Sequence, residues 1–316
     1  MRPRVTRTVA ENASRRSAEV QGIPAADLAP AAAPFVPRAA RWTPPTGTLA
    51  ALCAAARERV AALAARGAEL ERAAAARPAP PSFAGVLRGE TVAVIAELKR
   101  ASPSKGAIAP GLDAGAQAAA YARGGAAALS VLTEPTRFGG TIADLDAAGR
   151  AVGGAVPLLR KDFIVDRLQI VEARAHGASA VLLIARALEP AAMGALAREA
   201  AALGLDVLAE VRDEWELETA LETGAPVIGV NNRNLETLAI DLATGERLVP
   251  RIPAERVGVF ESGVVSAADV AHAAAAGADA VLVGSSVSGA ADPAAAVAAL
   301  TGAPRRGEPR QARGGA

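Results

Sequence analysis

The sequence has few of the residues that build common catalytic and structural sites. Its 316 residues include one cysteine, Cys53, and two histidines, His176 and His272. A single cysteine excludes an internal disulfide and any multi-cysteine metal site, and it suits a reducing cytoplasm. Both histidines come shortly before a glycine in alanine-rich stretches, which favours helix-end packing over catalysis. A Ser-His-Asp hydrolase and a histidine-rich metal centre are therefore disfavoured, and we expect no metal and no cofactor.

The sequence also lacks long apolar runs and an excess of one charge. No run approaches the ~20 residues of a membrane span. With 34 basic and 33 acidic residues the net charge is +1, which favours neither nucleic acid nor an anionic membrane as a partner. We therefore expect a cytoplasmic protein with a small-molecule ligand. We expect it to be a monomer or weak homo-oligomer without an obligate protein partner.

Lysine is scarce, because all but three of the basic residues are arginine. The three lysines are Lys99, Lys105 and Lys161. Lysine can lose its proton in a buried site, whereas arginine cannot. These three residues are therefore candidates for chemistry.

Composition divides the chain into a central domain and two terminal segments. Residues 1–45 are rich in Ala, Pro and Arg without a sustained apolar period, which predicts a disordered extension. Residues 302–316 predict a disordered tail on the same grounds. Residues 46–301 are then the folded domain. Its apolar spacing over residues 47–77 predicts a leading helix that ends before the proline-rich segment ARPAPPS.

Eight short apolar runs recur along the central domain, each followed by a segment long enough for a crossover helix. They are VAVIAELK (92–99), ALSVLT (128–133), PLLRKDF (157–163), AVLLIA (180–185), DVLAEVR (206–212), VIGVNNR (227–233), RVGVFESG (256–263) and AVLVGSS (280–286). This repetition indicates βα units in a parallel sheet. Eight units favour an α/β fold of the closed (β/α)8 type over an open doubly wound sheet. The first run is followed by LKRASPSKG, which is not the GxGxxG of a dinucleotide site.

Polar side chains collect at the ends of these runs, where a barrel of this type carries its active site. They are Glu97, Lys99, Lys161, Glu210, Asn231, Arg233 and Glu261. Two lysines among three carboxylates titrate as a coupled set, so some of them can exchange protons near neutral pH. Such a cluster can supply both the acid and the base of general acid–base catalysis.

Small residues follow the last two runs. They are Ser262 and Gly263 after the seventh run, and Gly284 and Ser285 after the eighth. Backbone N–H groups can approach an anion there, and barrels commonly bind a substrate phosphate at these two loops. Tight turns use the same residues, so either interpretation stays open on this evidence.

Seven strings together resemble the indole-3-glycerol phosphate synthase family. They are AELKRASPSKG (96–106), LTEPTRFGG (132–140), LLRKDFIVD (158–166), LAEVRDE (208–214), GVNNRNLETL (229–238), ESG (261–263) and LVGSS (282–286). The likeness covers residues 47–301 in order, and KRASPSKG together with RKDFIVD is not a generic barrel feature. The resemblance implies a (β/α)8 TIM barrel with an extra N-terminal helix over its mouth.

The resemblance also implies a reaction and roles for the site residues. The reaction is the decarboxylating, dehydrating ring closure of 1-(2-carboxyphenylamino)-1-deoxyribulose 5-phosphate to indole-3-glycerol phosphate in tryptophan biosynthesis. Lys161 is similar to the acid that protonates the ribulose carbonyl. The dehydration needs an acid and a base, and the resemblance implies that these roles are shared by Glu210, Glu97 and Lys99. Which residue takes which role stays open. Asn231 and Glu261 match polar positioning residues. The residues that match the family's phosphate-binding loops are Ser262, Gly263, Gly284 and Ser285. Ser102 and Arg233 match positions that contact an anion. The apolar walls around the anthranilate ring are matched by Phe138, Phe163, Leu182 and Leu235.

Other functions stay open at this point. Lys161 could be the Schiff-base nucleophile of an aldolase-like barrel. The isomerase one step earlier in the pathway would need a cysteine–aspartate pair at strand ends, whereas Cys53 lies in the leading helix. A paralogue could make the same product for specialised indole metabolism, and a non-catalytic relative could bind the phosphate ligand only.

Phe260 departs from the family, which usually has a small residue before Glu-Ser-Gly. Because side chains alternate along a strand, its ring should point away from Glu261 towards the helix layer. We therefore expect Phe260 to affect packing and stability more than chemistry.

Overall fold

The structure is a computed structural model that describes residues 41–305. The predicted extension up to residue 40 and the predicted tail from residue 306 lie outside the described residues. Two described residues that flank the predicted domain 46–301 contact it. Arg186 donates a hydrogen bond to the Thr43 carbonyl (2.6 Å). Thr91 and Pro304 form an antiparallel bridge.

Eight parallel strands close into a barrel, which confirms the predicted fold class. The strands of the chain are β1 (Ala93–Leu98), β2 (Ala101–Ser102), β3 (Gly106–Ala107), β4 (Ala128–Leu132), β5 (Leu158–Lys161), β6 (Ala180–Ile184), β7 (Asp206–Val211), β8 (Val227–Asn231), β9 (Val257–Glu261) and β10 (Ala280–Val283). β2 and β3 form a separate hairpin, and β1 closes the ring by pairing with both β4 and β10. Each predicted apolar run thus supplies one barrel strand.

Helices surround the barrel and precede it. They are α1 (Gly47–Ala64), α2 (Gly67–Ala76), α3 (Phe83–Val86), α4 (Ala114–Arg123), α5 (Ile142–Val152), α6 (Arg167–Ala175), α7 (Pro190–Ala202), α8 (Glu214–Glu222), α9 (Ala243–Leu248), α10 (Ala267–Ala275), α11 (Ser285–Ser288) and α12 (Pro293–Ala298). Capping boxes start α5, α6 and α10, so their first backbone N–H groups are satisfied by side chains. Among residues 41–305, no helix is both long and apolar enough to span a bilayer.

The leading segment forms two helices where the sequence predicts one. The chain turns at Ala65 and Arg66, just before Gly67, whose helix propensity is low. The buried residues of the two helices join different clusters. Those of α1 belong to the main barrel core. Leu70 and Ala74 of α2 form a small second cluster with Val171 and Ala175 of α6, and the partly buried Leu63 of α1 packs against it. The break lies between these two sets of buried residues.

Phe260 is buried outside the barrel, as its strand position predicts. Its ring meets His272 of α10 edge-on, with centroids 6.2 Å apart. On the other side lies Gly245 of α9, where an added Cβ would come within 2.1 Å of Phe260 Cε2. A glycine in α9 therefore provides the space for this ring. His272 lies in the last turn of α10 and His176 follows α6, which agrees with helix-end packing for both.

Candidate active site

The carboxyl ends of the strands surround one pocket at the mouth of the barrel. Its walls include most of the sequence-predicted site residues, which are Glu97, Lys99, Ser102, Phe138, Lys161, Phe163, Leu182, Glu210, Asn231, Arg233, Leu235, Ser262 and Ser285. Glu261, Gly263 and Gly284 are not in the wall itself, although Glu261 contacts Lys161 from below the pocket. Parallel strands bring these residues together because all their carboxyl ends face the same rim.

Lys161, the last residue of β5, lies among three buried carboxylates. Its Nζ is 3.5 Å from Glu210 Oε2, 3.5 Å from Glu261 Oε2 and 3.9 Å from Glu97 Oε2. The second ammonium, that of Lys99, forms an ion pair with Glu97 Oε1. Glu97 also accepts a hydrogen bond from Ser130 Oγ (3.2 Å). The two lysines are therefore held on opposite oxygens of one carboxylate.

Burial and charge act against each other in this cluster. Burial would lower the pKa of Lys161, but Glu261, Glu210 and Glu97 outweigh it and raise that pKa well above its usual value. Burial would raise the pKa of Glu97, but Lys99 and Lys161 bring it below normal. For Glu261 burial prevails over the attraction of Lys161 and raises its pKa to about 8. At neutral pH the cluster thus holds a charged lysine, an ionised Glu97 and a mostly protonated Glu261.

Glu210 is oriented by a chain of hydrogen bonds from the neighbouring strands. Asn231 Nδ2 donates to Glu210 Oε1 (2.9 Å). The amide oxygen of Asn231 accepts in turn from Ser262 Oγ and from the Arg233 backbone N–H, both at 2.9 Å. These bonds fix which end of the Asn231 amide faces Glu210. The other oxygen of Glu210 faces Lys161, so this carboxylate is presented as a hydrogen-bond acceptor.

The loops after β9 and β10 carry the small residues that the sequence assigns to anion binding. Ser262 and Gly263 have φ angles of 65° and 89°, so the chain turns sharply directly after β9. At Gly284 an added Cβ would lie 2.6 Å from Glu97 Oε1 and 3.0 Å from Lys99 Nζ. The absence of a side chain there keeps the Glu97–Lys99 pair open to the loop.

Aromatic and aliphatic side chains also line the pocket. The rings of Phe138 and Phe163 lie with centroids 6.2 Å apart and planes tilted by 38°. Leu182 and Leu235 line the same pocket. The pocket therefore combines charged and apolar side chains, which suits a ligand with an aromatic ring and anionic groups.

Several residues of the site were not identified from the sequence. Thr48 and Leu52 of α1 line the pocket and form its roof. Gly229 of β8 provides the space for Glu261, since an added Cβ would lie 2.0 Å from Glu261 Oε1. The apolar face of α1 was visible as a pattern, but nothing in the pattern says which surface it covers. The role of Gly229 could not be recognised from the residues next to it in the sequence, because it depends on Glu261 of the neighbouring strand.

The raised pKa of Glu261 predicts a pH-dependent stability. Unfolding restores an ordinary pKa near 4.5, so between about pH 5 and pH 8 the folded state binds a proton that the unfolded state lacks. The contribution of Glu261 to the free energy of unfolding should therefore fall with rising pH, by roughly 1 kcal/mol per pH unit. In urea titrations at pH 5.5, 6.5 and 7.5, the stability of Glu261→Gln relative to the wild type should increase with pH. Parallel pH profiles of the two proteins would contradict a buried, protonated Glu261.

Comparison with known sequences identifies one family. A family model described as indole-3-glycerol phosphate synthase matches residues 49–300. Indole-3-glycerol phosphate synthase 1 of Streptomyces coelicolor is 55% identical over 217 residues, which cover 69% of this chain and 80% of that protein. Indole-3-glycerol phosphate synthase of Rhodococcus jostii is 53% identical over 230 residues, covering 71% and 85%.

Solved structures with the same barrel are much more distant in sequence. The 3-hexulose-6-phosphate synthase of Salmonella typhimurium aligns with a TM-score of 0.53 at 16% identity, covering 66% of this chain and 96% of that one. Thiamine phosphate pyrophosphorylase of Pyrococcus furiosus aligns with a TM-score of 0.51 at 16% identity, covering 66% and 93%. Likeness at this level of identity shows the fold alone.

Proposed function

Because the chain belongs to the indole-3-glycerol phosphate synthase family, we propose that its strand-end cluster carries out the ring closure with Lys161 as the acid. The activity of the chain is that of the family, the synthesis of indole-3-glycerol phosphate in tryptophan biosynthesis. The substrate is 1-(2-carboxyphenylamino)-1-deoxyribulose 5-phosphate. The observation that carries the assignment of Lys161 is its place between Glu210, Glu261 and Glu97 at the centre of the pocket.

In the ring closure, the aromatic carbon that bears the carboxylate attacks the ribulose carbonyl. The carbonyl oxygen gains negative charge as the new carbon–carbon bond forms. The Lys161 ammonium stabilises this charge and then transfers its proton, because an alkoxide is more basic than an amine. Loss of carbon dioxide returns the bonding electrons to the ring, which becomes aromatic again.

Dehydration then needs one proton donor and one proton acceptor. The hydroxyl formed in the first step must leave as water, and the adjacent methylene carbon must lose a proton. We assign the base to Glu210, because Asn231 and Lys161 hold it as an acceptor. We assign the acid to Lys99, whose ammonium is paired with the ionised Glu97 on the far side of the pocket. This division separates the two groups across the substrate.

Substrate binding follows from the charged and apolar side chains of the pocket. Phe138, Phe163, Leu182 and Leu235 would enclose the anthranilate ring. Ser262, Gly263, Gly284 and Ser285 would hold the phosphate through the loops after β9 and β10. Ser102 and Arg233 also line the pocket and would meet the remaining negative charge. Each step uses groups of this chain, so the proposal requires neither metal nor cofactor.

We also propose that the protein acts in the cytoplasm as a monomer or weak homo-oligomer, with a phosphorylated small molecule as its ligand. The single cysteine is buried and free, which fits a reducing compartment. A non-catalytic binding function is disfavoured, because the acid–base residues are all present and lie in contacting pairs, Lys99 with Glu97 and Lys161 with Glu210.

The appearance of indole fluorescence tests the activity directly. Purified protein mixed with the carboxyphenylamino-deoxyribulose phosphate should give a product with indole emission, in an amount equal to the substrate consumed. Folded protein that gives no such signal would contradict the activity. Borohydride treatment during turnover tests the Schiff-base alternative, since a covalent adduct on Lys161 would exclude its role as a simple acid.

Glu210→Gln tests the base assignment. The amide keeps the shape and can still bond to Asn231, but it cannot accept a proton from carbon. We expect kcat to fall by about 100-fold or more with little change in KM. Steady-state kinetics measure both values. A kcat close to that of the wild type would remove Glu210 from the chemical steps.

A further inference from the structure

One carboxylate fastens the N-terminal end of α1 to the barrel. Glu236, in the loop after β8, accepts hydrogen bonds from the Thr46 backbone N–H (2.8 Å) and from Thr46 Oγ1 (3.0 Å). It also accepts one from Arg186 Nη2 (2.9 Å). Arg186 lies in the turn after β6, and its Nη1 donates to the Thr43 carbonyl. Three segments that are distant in sequence therefore meet at Glu236.

The backbone of α1 lies directly on the β8 loop at this point. Gly47 has a φ angle of 55°, and an added Cβ would be 3.2 Å from the Glu236 carbonyl oxygen. The Thr46 backbone N–H, together with its hydroxyl and Arg186, holds the pKa of Glu236 below its usual value. The carboxylate therefore stays charged at neutral pH and keeps all three donors attractive.

The other end of α1 is anchored differently. Arg59 Nη2 is 2.6 Å from Asp162 Oδ1, and Arg59 Nη1 is 3.5 Å from Glu134 Oε1. Arg59 and Arg186 are equally exposed (27%), but the carboxylates of Glu134 and Asp162 are fully buried, whereas the Glu236 side chain is 23% exposed. An exposed ion pair contributes less than a buried, hydrogen-bonded one. The end at Glu236 is therefore held by the weaker ion pair, together with the burial of Leu49, Leu52 and Cys53 in the barrel core.

The segment between the two anchors covers the active site. Thr48 and Leu52 lie within two helical turns of Thr46, to which Glu236 is bonded, and they line the pocket. We propose that Glu236 is a positioning residue, which fastens this end of α1 over the bound substrate while Arg59 fastens the far end. The effect on catalysis rests on the proposed function, whereas the fastening itself does not.

The apparent affinity for the substrate should depend on the fraction of molecules in which α1 is in place. Only molecules with α1 in place have a complete pocket, so KM varies inversely with the fraction that is closed. Removal of Glu236 leaves the reacting groups in place, so kcat should change little. Loss of its three hydrogen bonds should raise the ratio of open to closed molecules by about tenfold.

Amide hydrogen exchange of the full chain without ligand tests the fastening in Glu236→Ala. Peptides over residues 47–54 should exchange about tenfold faster than in the wild type, while those over 57–64 should not change. In steady-state kinetics KM should rise by less than about twofold, because the open form stays the minor state, and kcat should stay within about twofold. Glu246→Ala is the matched control, because it also removes a half-exposed carboxylate, which pairs with His272 Nε2 (2.9 Å) on the outer surface.

Two results would overturn the proposal. One is exchange over residues 47–54 that equals the rate in Glu246→Ala. The other is faster exchange along the whole of α1, since it would mean general loosening instead of release at one end. Glu236→Gln keeps an oxygen acceptor for Thr46 and should restore part of the protection. If the wild type makes no indole product, the proposed function fails, but the exchange experiment still decides whether Glu236 fastens α1.

Discussion

Lys161→Met is expected to lower kcat by at least about 1,000-fold while leaving the fold and ligand binding largely intact. In the proposed mechanism, the substitution removes the proton donor and the positive charge that would face the ribulose carbonyl. Methionine fills a similar volume to the aliphatic part of lysine. The remaining carboxylates can adapt, since Glu261 already has a pKa of about 8 and is mostly protonated at neutral pH. Steady-state kinetics and a thermal melt measure the two effects separately.

Lys105→Met is the matched control for this experiment. Lys105 is exposed at the turn of the β2–β3 hairpin, so its replacement should change kcat by no more than a few-fold. Substrate binding to Lys161→Met should remain measurable by calorimetry. A turnover close to that of the wild type would exclude Lys161 as the acid, and complete loss of binding would assign it to substrate recognition.

Gly245→Ala is expected to destabilise the protein by about 3 kcal/mol, because the added methyl group overpacks a rigid site. Its Cβ would lie 2.1 Å from Phe260 Cε2 and 2.6 Å from Phe260 Cδ2. The ring is buried between α9 and α10 against His272, so it has little room to move. Urea unfolding with a constant m-value measures the change in free energy.

A double substitution identifies the ring as the cause. Phe260→Val alone should cost about 2–3 kcal/mol through the cavity it leaves. In the double variant the two changes should partly cancel, so the loss should be smaller than the sum of the single losses. Gly194→Ala is the control, since its Cβ in α7 would meet only Arg198 Nη1 at 3.4 Å. Additive losses in the double variant would show that Phe260 does not limit position 245.

Much of the fold can be predicted from the sequence because its signals are local. Each barrel strand is a short apolar run between helical segments, and chain order then determines which strands are neighbours. The break between α1 and α2 could not be predicted in this way. It depends on tertiary contacts, those of Leu52 in the barrel core and those of Leu70 against helix α6.

The convergence of the polar residues could be predicted for a similar reason, since strand ends converge in any closed parallel barrel. Lys161, Glu210 and Glu97 are each the polar end of an apolar run. The supporting contacts are different, because they join residues with no sequence pattern in common. The pairing of Thr46 with Glu236 spans 190 positions along the chain. The space that Gly229 leaves for Glu261 depends on the register of β8 with β9, in which Asn231 pairs with Glu261.

Simultaneous measurement of carbon dioxide release and indole formation tests the account most directly. With the carboxyphenylamino-deoxyribulose phosphate as substrate, the wild type should release one carbon dioxide for each indole product formed. Lys161→Met should bind the same substrate, but it should release carbon dioxide and form indole product far more slowly than the wild type. Carbon dioxide without indole product from the wild type, or equal rates of both products from the two proteins, would contradict the ring closure with Lys161 as its acid.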